Sequence, residues 1–253
     1  MDLNLKDKVA LVTGGSGGLG KTICLSLAAE GAKVAVNYRR TADKAQAVVD
    51  RIKTEYGVEA VAVGGDVSVE ADVVQMFDLV AEKFSKVDIL VNNAAVCPTC
   101  WVPDMPLEMW SRTISVNLTG TFLTSRQFVK RLLDAGRGGR IVNIVSQAAF
   151  RGSTTGHAPY DASKGGIVSF TIALAREVAQ QDICVNAVAP GMIRTEMVAK
   201  VLEKNKEKYL SRIPLHRIAE PKEVADVVTF LASERASYMT GATVDVSGGI
   251  LMR

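Results

Sequence analysis

The sequence is poor in cysteine, histidine and aromatic residues, and it has no long apolar run. Its 253 residues include four cysteines and two histidines, and aromatic residues make up 6%. Four cysteines in a chain of this length do not form the disulfide framework of a small secreted domain. The histidines, His157 and His216, have no spacing that suits a metal site, so we expect no bound metal. No apolar run approaches the roughly 18 residues that span a bilayer, so we expect no membrane association.

An excess of one sign of charge is also missing. The chain has 30 Lys and Arg residues against 27 Asp and Glu residues, a net charge of +3. The lysines of residues 200–208 are interleaved with Glu203 and Glu207, as on a solvated helix face, so nucleic-acid binding is not expected. The first residues, with Asp2 and Asn4, are acidic and polar, unlike a signal peptide. We therefore expect a protein of the cytoplasm.

Short apolar runs alternate with helical patterns along the chain, 48% of which is hydrophobic. The runs that predict strands are 9–12, 34–36, 60–63, 89–91, 141–145, 183–187 and 243–246. After a first helix that ends near Gly31, helical stretches are predicted at 41–56, 70–85, 107–135, 159–180 and 221–232. Continuous apolar strands that alternate with helices indicate a parallel sheet covered on both faces. The sequence therefore predicts one α/β domain over residues 1–253, a doubly wound parallel sheet of Rossmann type with ligands at the carboxyl ends of its strands.

A glycine-rich turn follows the first predicted strand. Gly14, Gly18 and Gly20 stand at its key positions, with Gly15 and Gly17 between them. Glycine permits a tight turn and a close backbone approach, and the next helix offers free N–H groups at its positive end. A pyrophosphate suits such a turn, and the first strand-to-helix turn is where a dinucleotide fingerprint is expected. An ordinary glycine-rich turn is the alternative.

Tyr160 and Lys164 lie four residues apart, on one face of a predicted helix whose first turn suits Pro159. An ammonium beside a phenol favours the phenolate, so we expect the pKa of Tyr160 to lie well below its ordinary value of about 10. Such a pair can exchange a proton with an alcohol or ketone near neutral pH. Ser146 ends the fifth predicted strand, where its hydroxyl can donate to a substrate carbonyl oxygen.

These motifs resemble, in their order along the chain, those of the short-chain dehydrogenase/reductase family, in the branch whose chains have about this length. The matching positions are 13–20, 66–67, 92–94, Asn117, Ser146, 160–164 and 190–191. The resemblance implies that Asn117, Ser146, Tyr160 and Lys164 are catalytic. In this reading Tyr160 transfers the proton, Lys164 holds the nicotinamide ribose, and Asn117 ties a water molecule to Lys164. The family is commonly tetrameric, so the resemblance also implies a homotetramer.

The same resemblance implies a set of residues that bind the dinucleotide. Those of the glycine turn are Gly14, Ser16, Gly17, Gly18, Leu19 and Gly20. Asp66 and Val67 would hold the adenine, and Asn93 and Ala94 would pack along its ribose. The residues expected near the carboxamide and the pyrophosphate are Pro190, Gly191, Ile193 and Thr195. Tyr160 and Lys164 also belong to the set, as do Tyr38, Arg39 and Arg40 after the second predicted strand.

The end of the second predicted strand distinguishes NAD from NADP. An acidic residue there would accept hydrogen bonds from the ribose 2′-hydroxyl and repel a 2′-phosphate. This chain has Tyr38 at that position, followed by Arg39 and Arg40, and Arg39 is well placed to pair with a phosphate. Gly17 stands where many NADP-using relatives have a basic residue. We expect NADP(H) to be preferred and NAD(H) to be tolerated, with merely solvated arginines as the alternative.

Some features predict an unusual entrance to the substrate cleft. Ala95 stands where the family usually has glycine. The interval from Ser146 to Tyr160 is one residue longer than relatives usually show, which places an insertion within 147–159. The charged segment within 192–216 predicts a lid that excludes water on closing, with a plain surface helix as the alternative.

The loop after the fourth predicted strand contains Cys97 and Cys100, in a spacing seen in redox and zinc pairs. Too few other ligands are available for zinc, and no helix N-terminus is expected there to activate a thiol. We therefore expect this loop, with Trp101, to line the substrate cleft.

Together these features predict an oxidoreductase that transfers a hydride between NADP(H) and a small-molecule ketone or secondary alcohol. The resemblance extends to bacterial glucose dehydrogenases and 3-oxoacyl-carrier-protein reductases. The latter often have an arginine near the end of the tyrosine-bearing helix, for docking an acidic partner. Gln180, Gln181 and Asp182 stand there in this chain, which favours a free carbonyl or sugar substrate. A 3-oxoacyl-carrier-protein reductase is the alternative, and a non-catalytic NADP(H) sensor is an alternative from another class.

Overall fold

The structure is a computed structural model that describes residues 2–195, 207 and 209–252. The predicted lid over 192–216 falls partly outside this range, since residues 196–206 and 208 are not among those described. No helix among the described residues is both long and apolar enough to cross a membrane.

Seven parallel strands form one sheet. They are β1 (Val9–Val12), β2 (Lys33–Tyr38), β3 (Ala60–Gly64), β4 (Ile89–Asn92), β5 (Gly139–Ile144), β6 (Ile183–Pro190) and β7 (Thr243–Val246). Their order is β3-β2-β1-β4-β5-β6-β7, and every neighbouring pair is parallel. The chain moves outward from β1 in one direction and then from β4 in the other, so the switch point lies between these two strands. The predicted doubly wound α/β fold is confirmed.

Helices cover both faces of the sheet. They are α1 (Gly18–Ala29), α2 (Ala42–Tyr56), α3 (Glu70–Phe84), α4 (Leu107–Ile114), α5 (Gly120–Asp134), α6 (Ala148–Arg151), α7 (Ala158–Val178) and α8 (Pro221–Leu231). The long helix predicted over 107–135 is divided, because a π-helical turn at Ser115–Thr119 separates α4 from α5. Inside that turn the side chain of Asn117 bonds to Val96, outside its own helix, while the hydroxyl of Thr121 donates to the Asn117 carbonyl at 2.7 Å.

The central strand β1 is buried on both sides. Val9 and Leu11 face a core that α3, α5 and α7 complete, whereas Ala10 and Val12 face a second core formed with α1, α2 and α8. Phe77 of α3 is fully buried in the first core. Burial of a side chain of this size contributes about 1.5–3 kcal/mol. The two cores therefore fix the strands whose carboxyl ends carry the candidate site.

A buried polar network crosses the first core. The amide nitrogen of Asn92 (β4) donates to Ser125 Oγ at 3.0 Å and to Asn143 Oδ1 (β5) at 2.9 Å. Thr124 donates to Asn92 Oδ1 at 2.7 Å, and Asn143 Nδ2 donates to Thr171 Oγ1 of α7 at 2.9 Å. The network ties two strands to α5 and α7, and each amide hydrogen bond satisfies a group that burial would otherwise leave without a partner.

We predict that Asn143→Ala destabilises the fold by roughly 1–3 kcal/mol. It removes the acceptor of one amide hydrogen of Asn92 and the donor to Thr171 Oγ1, whereas Asn92 keeps its bond to Ser125 and the Thr171 hydroxyl keeps its bond to the Ile167 carbonyl. Urea unfolding measures the change. Gln46→Ala is the matched control, because Gln46 bonds to Asp50 on the exposed face of α2. Equal effects of the two substitutions would contradict the prediction.

Candidate active site

The loops after β1 and β4 are joined by hydrogen bonds at the switch point. The buried hydroxyl of Thr13 accepts from the backbone N–H of Asn93 at 2.9 Å and from that of Ala94 at 3.0 Å. The side chain of Asn93 donates to the carbonyls of Thr13 at 2.9 Å and of Gly14 at 3.2 Å. The two predicted dinucleotide segments therefore meet at one edge of the sheet.

Asn37 also fixes the glycine turn through hydrogen bonds, a role that was not predicted from the sequence. Its Oδ1 accepts from the N–H of Gly14 at 3.1 Å, and its Nδ2 donates to the carbonyls of Val63 and Gly65, both at 3.2 Å. Asn37 is 2% exposed at the end of β2. A polar residue within an otherwise apolar strand was the feature in the sequence that could have indicated this role.

The glycine turn fits a bound pyrophosphate. Gly14 and Gly18 have φ of +63° and +53°, which L side chains rarely adopt. A Cβ on Gly20 would lie 2.3 Å from the Gly14 carbonyl oxygen, so only glycine allows this close approach of α1 to the turn after β1. A Cβ on Gly17 would meet nothing within 4 Å, which shows that this part of the turn borders open space. The first N–H groups of α1 have no intrahelical acceptor and can bind an anion there.

A cleft of about 430 Å³ opens beside this turn. Predicted residues that line it are Gly14, Gly17, Gly18, Leu19, Gly20, Asn93, Ala94, Ser146, Tyr160, Lys164, Pro190, Gly191, Ile193 and Thr195. Lining residues outside the predicted binding set are Ala95, Val96, Cys97, Ile144 and Val145. The remaining predicted residues are not among those that line the cleft; they are Ser16, Tyr38, Arg39, Arg40, Asp66, Val67 and Asn117.

Tyr160 and Lys164 share one face of α7, as their spacing predicts. The Nζ atom of Lys164 lies 5.5 Å from the centre of the Tyr160 ring and donates to the Ile144 carbonyl at 2.6 Å. Lys164 is 2% exposed. The ammonium is therefore placed against the ring, in a site from which water is excluded.

The expected lowering of the Tyr160 pKa is wrong in this structure. Burial raises the pKa of the phenol and the nearby Cys97 thiol raises it further, while a hydrogen bond with Ser146 acts in the opposite direction. Burial also lowers the pKa of Lys164 to about 8, because desolvation disfavours the ammonium. The cause is one that spacing alone does not reveal: Lys164 is buried and Tyr160 is partly buried at the wall of the cleft, where charged forms are penalised.

Ser146 lies just beyond β5, at the carboxyl edge of the sheet. Its Oγ accepts from the N–H of Ala148 at 3.1 Å, which fixes the hydroxyl at the start of α6. Ser146 and Tyr160 both line the cleft, and the Ser146 hydroxyl is near enough to Tyr160 to act against the rise of its pKa. Ser146 and Tyr160 therefore present two hydroxyl groups to the same region of the cleft.

Asn117 is fully buried and does not bond directly to Lys164 in the structure. Its Oδ1 accepts from the N–H of Val96 at 2.8 Å, and its Nδ2 donates to the Val96 carbonyl and to Ser163 Oγ, both at 3.0 Å. The side chain thus anchors the loop after β4. Its participation in a water-mediated proton relay stays a prediction.

The loop with Cys97 is joined to the loop before α7 by hydrogen bonds. The N–H of Cys100 donates to the Gly156 carbonyl at 2.8 Å, and His157 Nδ1 lies 2.9 Å from the Pro98 carbonyl and 3.6 Å from Cys97 Sγ. Burial raises the pKa of Cys97 to about 11, with a further contribution from Asp161, so the thiol is a poor nucleophile at neutral pH.

Cys97 lines the cleft, as expected of this loop. Trp101 is not among the lining residues, and its side chain is largely exposed. The longer segment before Tyr160 is held from within α7, because Asp161 Oδ2 accepts from the N–H of Ser153 at 2.7 Å and from its hydroxyl at 2.5 Å.

Asp66 follows β3 at the far end of the dinucleotide path. Its Oδ1 accepts from the N–H and the hydroxyl of Ser68, and its Oδ2 accepts from Arg112 at 2.8 Å. Burial alone would raise the pKa of Asp66, but the hydrogen bonds from Ser68 and Arg112 outweigh it and lower the pKa from 3.8 to about 2. The carboxylate is therefore ionised and firmly held.

Comparison with known proteins assigns the family. Residues 14–251 match the family model described as enoyl-(acyl carrier protein) reductase. The chain is 43% identical over 249 residues to a 3-oxoacyl-[acyl-carrier-protein] reductase of Synechocystis sp., with 98% of each chain covered. It is 40% identical over 250 residues to the 3-oxoacyl-[acyl-carrier-protein] reductase FabG of Aquifex aeolicus, with 99% of this chain and 100% of the other covered. The chain belongs to the short-chain dehydrogenase/reductase family.

Solved structures of short-chain dehydrogenases/reductases have the same fold. One from Mycobacterium marinum superposes with a TM-score of 0.94 at 35% identity, covering 100% of this chain and 98% of the other. A structure named as a gluconate dehydrogenase, from Agrobacterium tumefaciens, gives 0.93 at 32% identity and covers 100% and 99%. The protein is accordingly an oxidoreductase that uses a nicotinamide dinucleotide, and the sensor alternative is not supported.

The end of α7 corrects one expectation about the substrate of this short-chain dehydrogenase/reductase. The helix ends at Val178, so Gln180 and Gln181 lie in the 3₁₀ turn beyond it. The last turn of α7 itself contains Arg176, which is exposed. The expectation against an acyl-carrier substrate therefore rested on the wrong residues.

We predict that Tyr160→Phe lowers turnover at least about 100-fold, since removal of a positioned acid typically costs 10²–10⁴ in rate. The ring and its contact with Lys164 are kept, so the free energy of unfolding changes little. Steady-state kinetics and urea unfolding measure the two effects. Tyr56→Phe, on the exposed side of α2, is the matched control. Turnover above a few per cent of wild type would refute the role of Tyr160.

We also predict that Asp66→Asn removes a pH-dependent part of the stability. The folded pKa of about 2 lies below the ordinary value of 3.8, so ionised Asp66 stabilises the fold. This contribution is complete above about pH 5, amounts to about 2 kcal/mol, and is lost as the pH falls through 2. Urea unfolding at pH 7 and pH 3 should show a smaller difference between wild type and variant at pH 3. A difference independent of pH would contradict the assignment.

Proposed function

We propose that this short-chain dehydrogenase/reductase is an NADP(H)-dependent 3-oxoacyl-thioester reductase, which converts the ketone at C3 into a secondary alcohol. The observation that carries the proposal is the placement of Tyr160 between Ser146 and Lys164, beside the glycine turn. The names of the Synechocystis and Aquifex relatives support the acyl substrate, and their similarity extends along the whole chain.

The side chains of the cleft provide the proton and hold the developing charge. A bound reduced nicotinamide supplies the hydride for the carbonyl carbon. The hydroxyls of Ser146 and Tyr160 donate hydrogen bonds to the carbonyl oxygen, and the phenol proton of Tyr160 passes to that oxygen as it becomes an alcohol. The phenolate that results lies against the Lys164 ammonium, whose charge stabilises it until solvent restores the proton.

The raised pKa of Tyr160 favours the direction of reduction. At neutral pH the phenol keeps its proton and can donate it at once. Oxidation of an alcohol needs the phenolate instead, which burial disfavours. We therefore expect the rate of ketone reduction to be highest at a lower pH than the rate of alcohol oxidation.

The preference for NADP(H) rests on the segment after β2. The residue at the end of β2 is Tyr38, whose ring lies over Gly64 of the neighbouring strand. It therefore supplies no carboxylate to recognise a 2′-hydroxyl. Arg39 follows, 37% exposed at its side chain, and its guanidinium can pair with a 2′-phosphate through two N–H groups. Ser16 and Thr41, whose hydroxyls lie 2.8 Å apart, add hydrogen-bonding groups on the same side of the glycine turn.

A sugar or sugar acid is the second candidate substrate class. Two buried acceptors, Gln147 Oε1 and Asp161 Oδ1, have no hydrogen-bond partner among the described residues. They directly follow Ser146 and Tyr160 in the chain and lie behind the lining of the cleft, where a hydroxyl group of a sugar that reached them would satisfy such acceptors. The gluconate dehydrogenase name of one similar structure is consistent with this class.

The proposal predicts the fastest turnover with NADPH and a 3-oxoacyl group on an acidic carrier protein. Initial rates are compared for that substrate, for the same acyl group on a short thioester, and for glucose and gluconate with the oxidised dinucleotide. Arg176→Ala should raise KM for the carrier-bound substrate about tenfold and leave the short thioester unchanged. Arg51→Ala, on the exposed face of α2, is the control.

Two results would contradict this function. Faster turnover of a sugar than of either thioester would favour the second candidate. Equal or greater efficiency with NADH than with NADPH would refute the cofactor preference, whatever the substrate.

A further inference from the structure

The carboxylate of Asp66 is shared by two arginines from different elements. Arg112 of α4 donates from Nη2 to Oδ2 at 2.8 Å, whereas Nη1 of Arg39, after β2, lies 3.5 Å from the same oxygen. The other oxygen, Oδ1, is occupied by the N–H of Ser68 at 3.0 Å and its hydroxyl at 2.6 Å. A carboxylate offers about four acceptor positions, so these four donors fill it.

Arg112 is the stronger of the two cationic partners. Its second nitrogen, Nη1, donates to Ser68 Oγ at 2.8 Å, so one guanidinium spans both residues of the turn after β3. The Arg39 contact lies at the outer limit of hydrogen-bond distance and uses one nitrogen. Because a planar fork bound at two points loses little freedom per bond, Arg112 fixes the turn while Arg39 is loosely held.

Because Arg112 and Arg39 share Oδ2 of Asp66, recognition of the adenine is coupled to recognition of a phosphate on the 2′-position of its ribose. An adenine amino group that bonds to Asp66 needs an acceptor position, and the position held by Arg39 is the weakest of the four. Displaced from Asp66, Arg39 is free to pair with a phosphate on the 2′-position. Arg112 lowers the free-energy cost of this exchange, since it continues to neutralise Asp66 after Arg39 leaves.

We propose that Arg112 is a positioning residue for dinucleotide selectivity, which holds Asp66 so that Arg39 is available to the 2′-phosphate. This inference rests on the proposed preference for NADP(H). Without Arg112, the partly buried Asp66 carboxylate keeps Arg39 as its one cationic partner among the described residues. The 2′-phosphate then competes with that carboxylate for Arg39, whereas a ligand without a 2′-phosphate meets no such competition.

The test is calorimetric binding of adenosine 2′,5′-bisphosphate and of adenosine 5′-monophosphate, which requires no turnover. We expect Arg112→Met to weaken the bisphosphate about fivefold more than the monophosphate, within the range found for residues that share a partner. In an Arg39→Met background, Arg112→Met should leave the ratio of the two affinities unchanged. Arg112→Lys, which keeps the charge without the fork, should restore part of the ratio.

The control is Arg126→Met, which removes an exposed arginine of α5 that pairs with Glu70 on α3. It should alter neither affinity. Equal weakening of both ligands by Arg112→Met, or a persistent effect on the ratio in the Arg39→Met background, would overturn the inference and leave Arg112 with a structural role. If Arg39→Met alone leaves the ratio unchanged, the proposed NADP(H) preference fails as well. The two failures are therefore distinguishable.

Discussion

The hydroxyl of Thr13 sets the geometry of the site. It accepts the backbone N–H groups of Asn93 and Ala94, and so it holds the loop after β4 against the glycine turn after β1. Since these loops flank the switch point of the sheet, this side chain helps to set the separation of the two walls of the dinucleotide path, beyond the point where β1 and β4 pair. The amide of Asn93 reinforces the junction through the carbonyls of Thr13 and Gly14.

Two further asparagines extend this arrangement to the rest of the cleft. Asn37 holds Gly14 from β2, and Asn117 holds Val96 from the π-helical turn. Each amide both donates and accepts, so a single side chain can satisfy loop N–H and carbonyl groups together. The reacting centre lies inside this frame, where burial keeps Tyr160 protonated and lowers the pKa of Lys164.

The fold could be predicted from the sequence because its features are local. Alternating apolar runs and helical periods indicate a parallel sheet, and the glycines of 14–20 mark the first turn. Tyr160, Lys164 and Ser146 were predictable for the same reason, since spacing and strand ends place them at one edge. Their relation to the family motifs then indicates the reaction.

Features that depend on tertiary burial or on distant partners could not be predicted in this way. The pKa of Tyr160 is raised by desolvation, which no i, i+4 spacing reveals. The π-helical turn at Ser115–Thr119 arises where Asn117 bonds to a loop 21 residues earlier in the chain. Arg112 meets Asp66 across 46 positions of sequence, so its part in the adenosine end of the site is visible in three dimensions alone.

Hydride transfer to a ketone is the central claim, and isotope transfer tests it most directly. NADPH that carries deuterium in place of both C4 hydrogens is incubated with a 3-oxoacyl thioester in ordinary water, and the product is analysed by mass spectrometry. The account predicts one deuterium at C3 of the 3-hydroxyacyl product and a hydroxyl proton from solvent. A product without deuterium, or deuterium retained wholly in the dinucleotide, would contradict it.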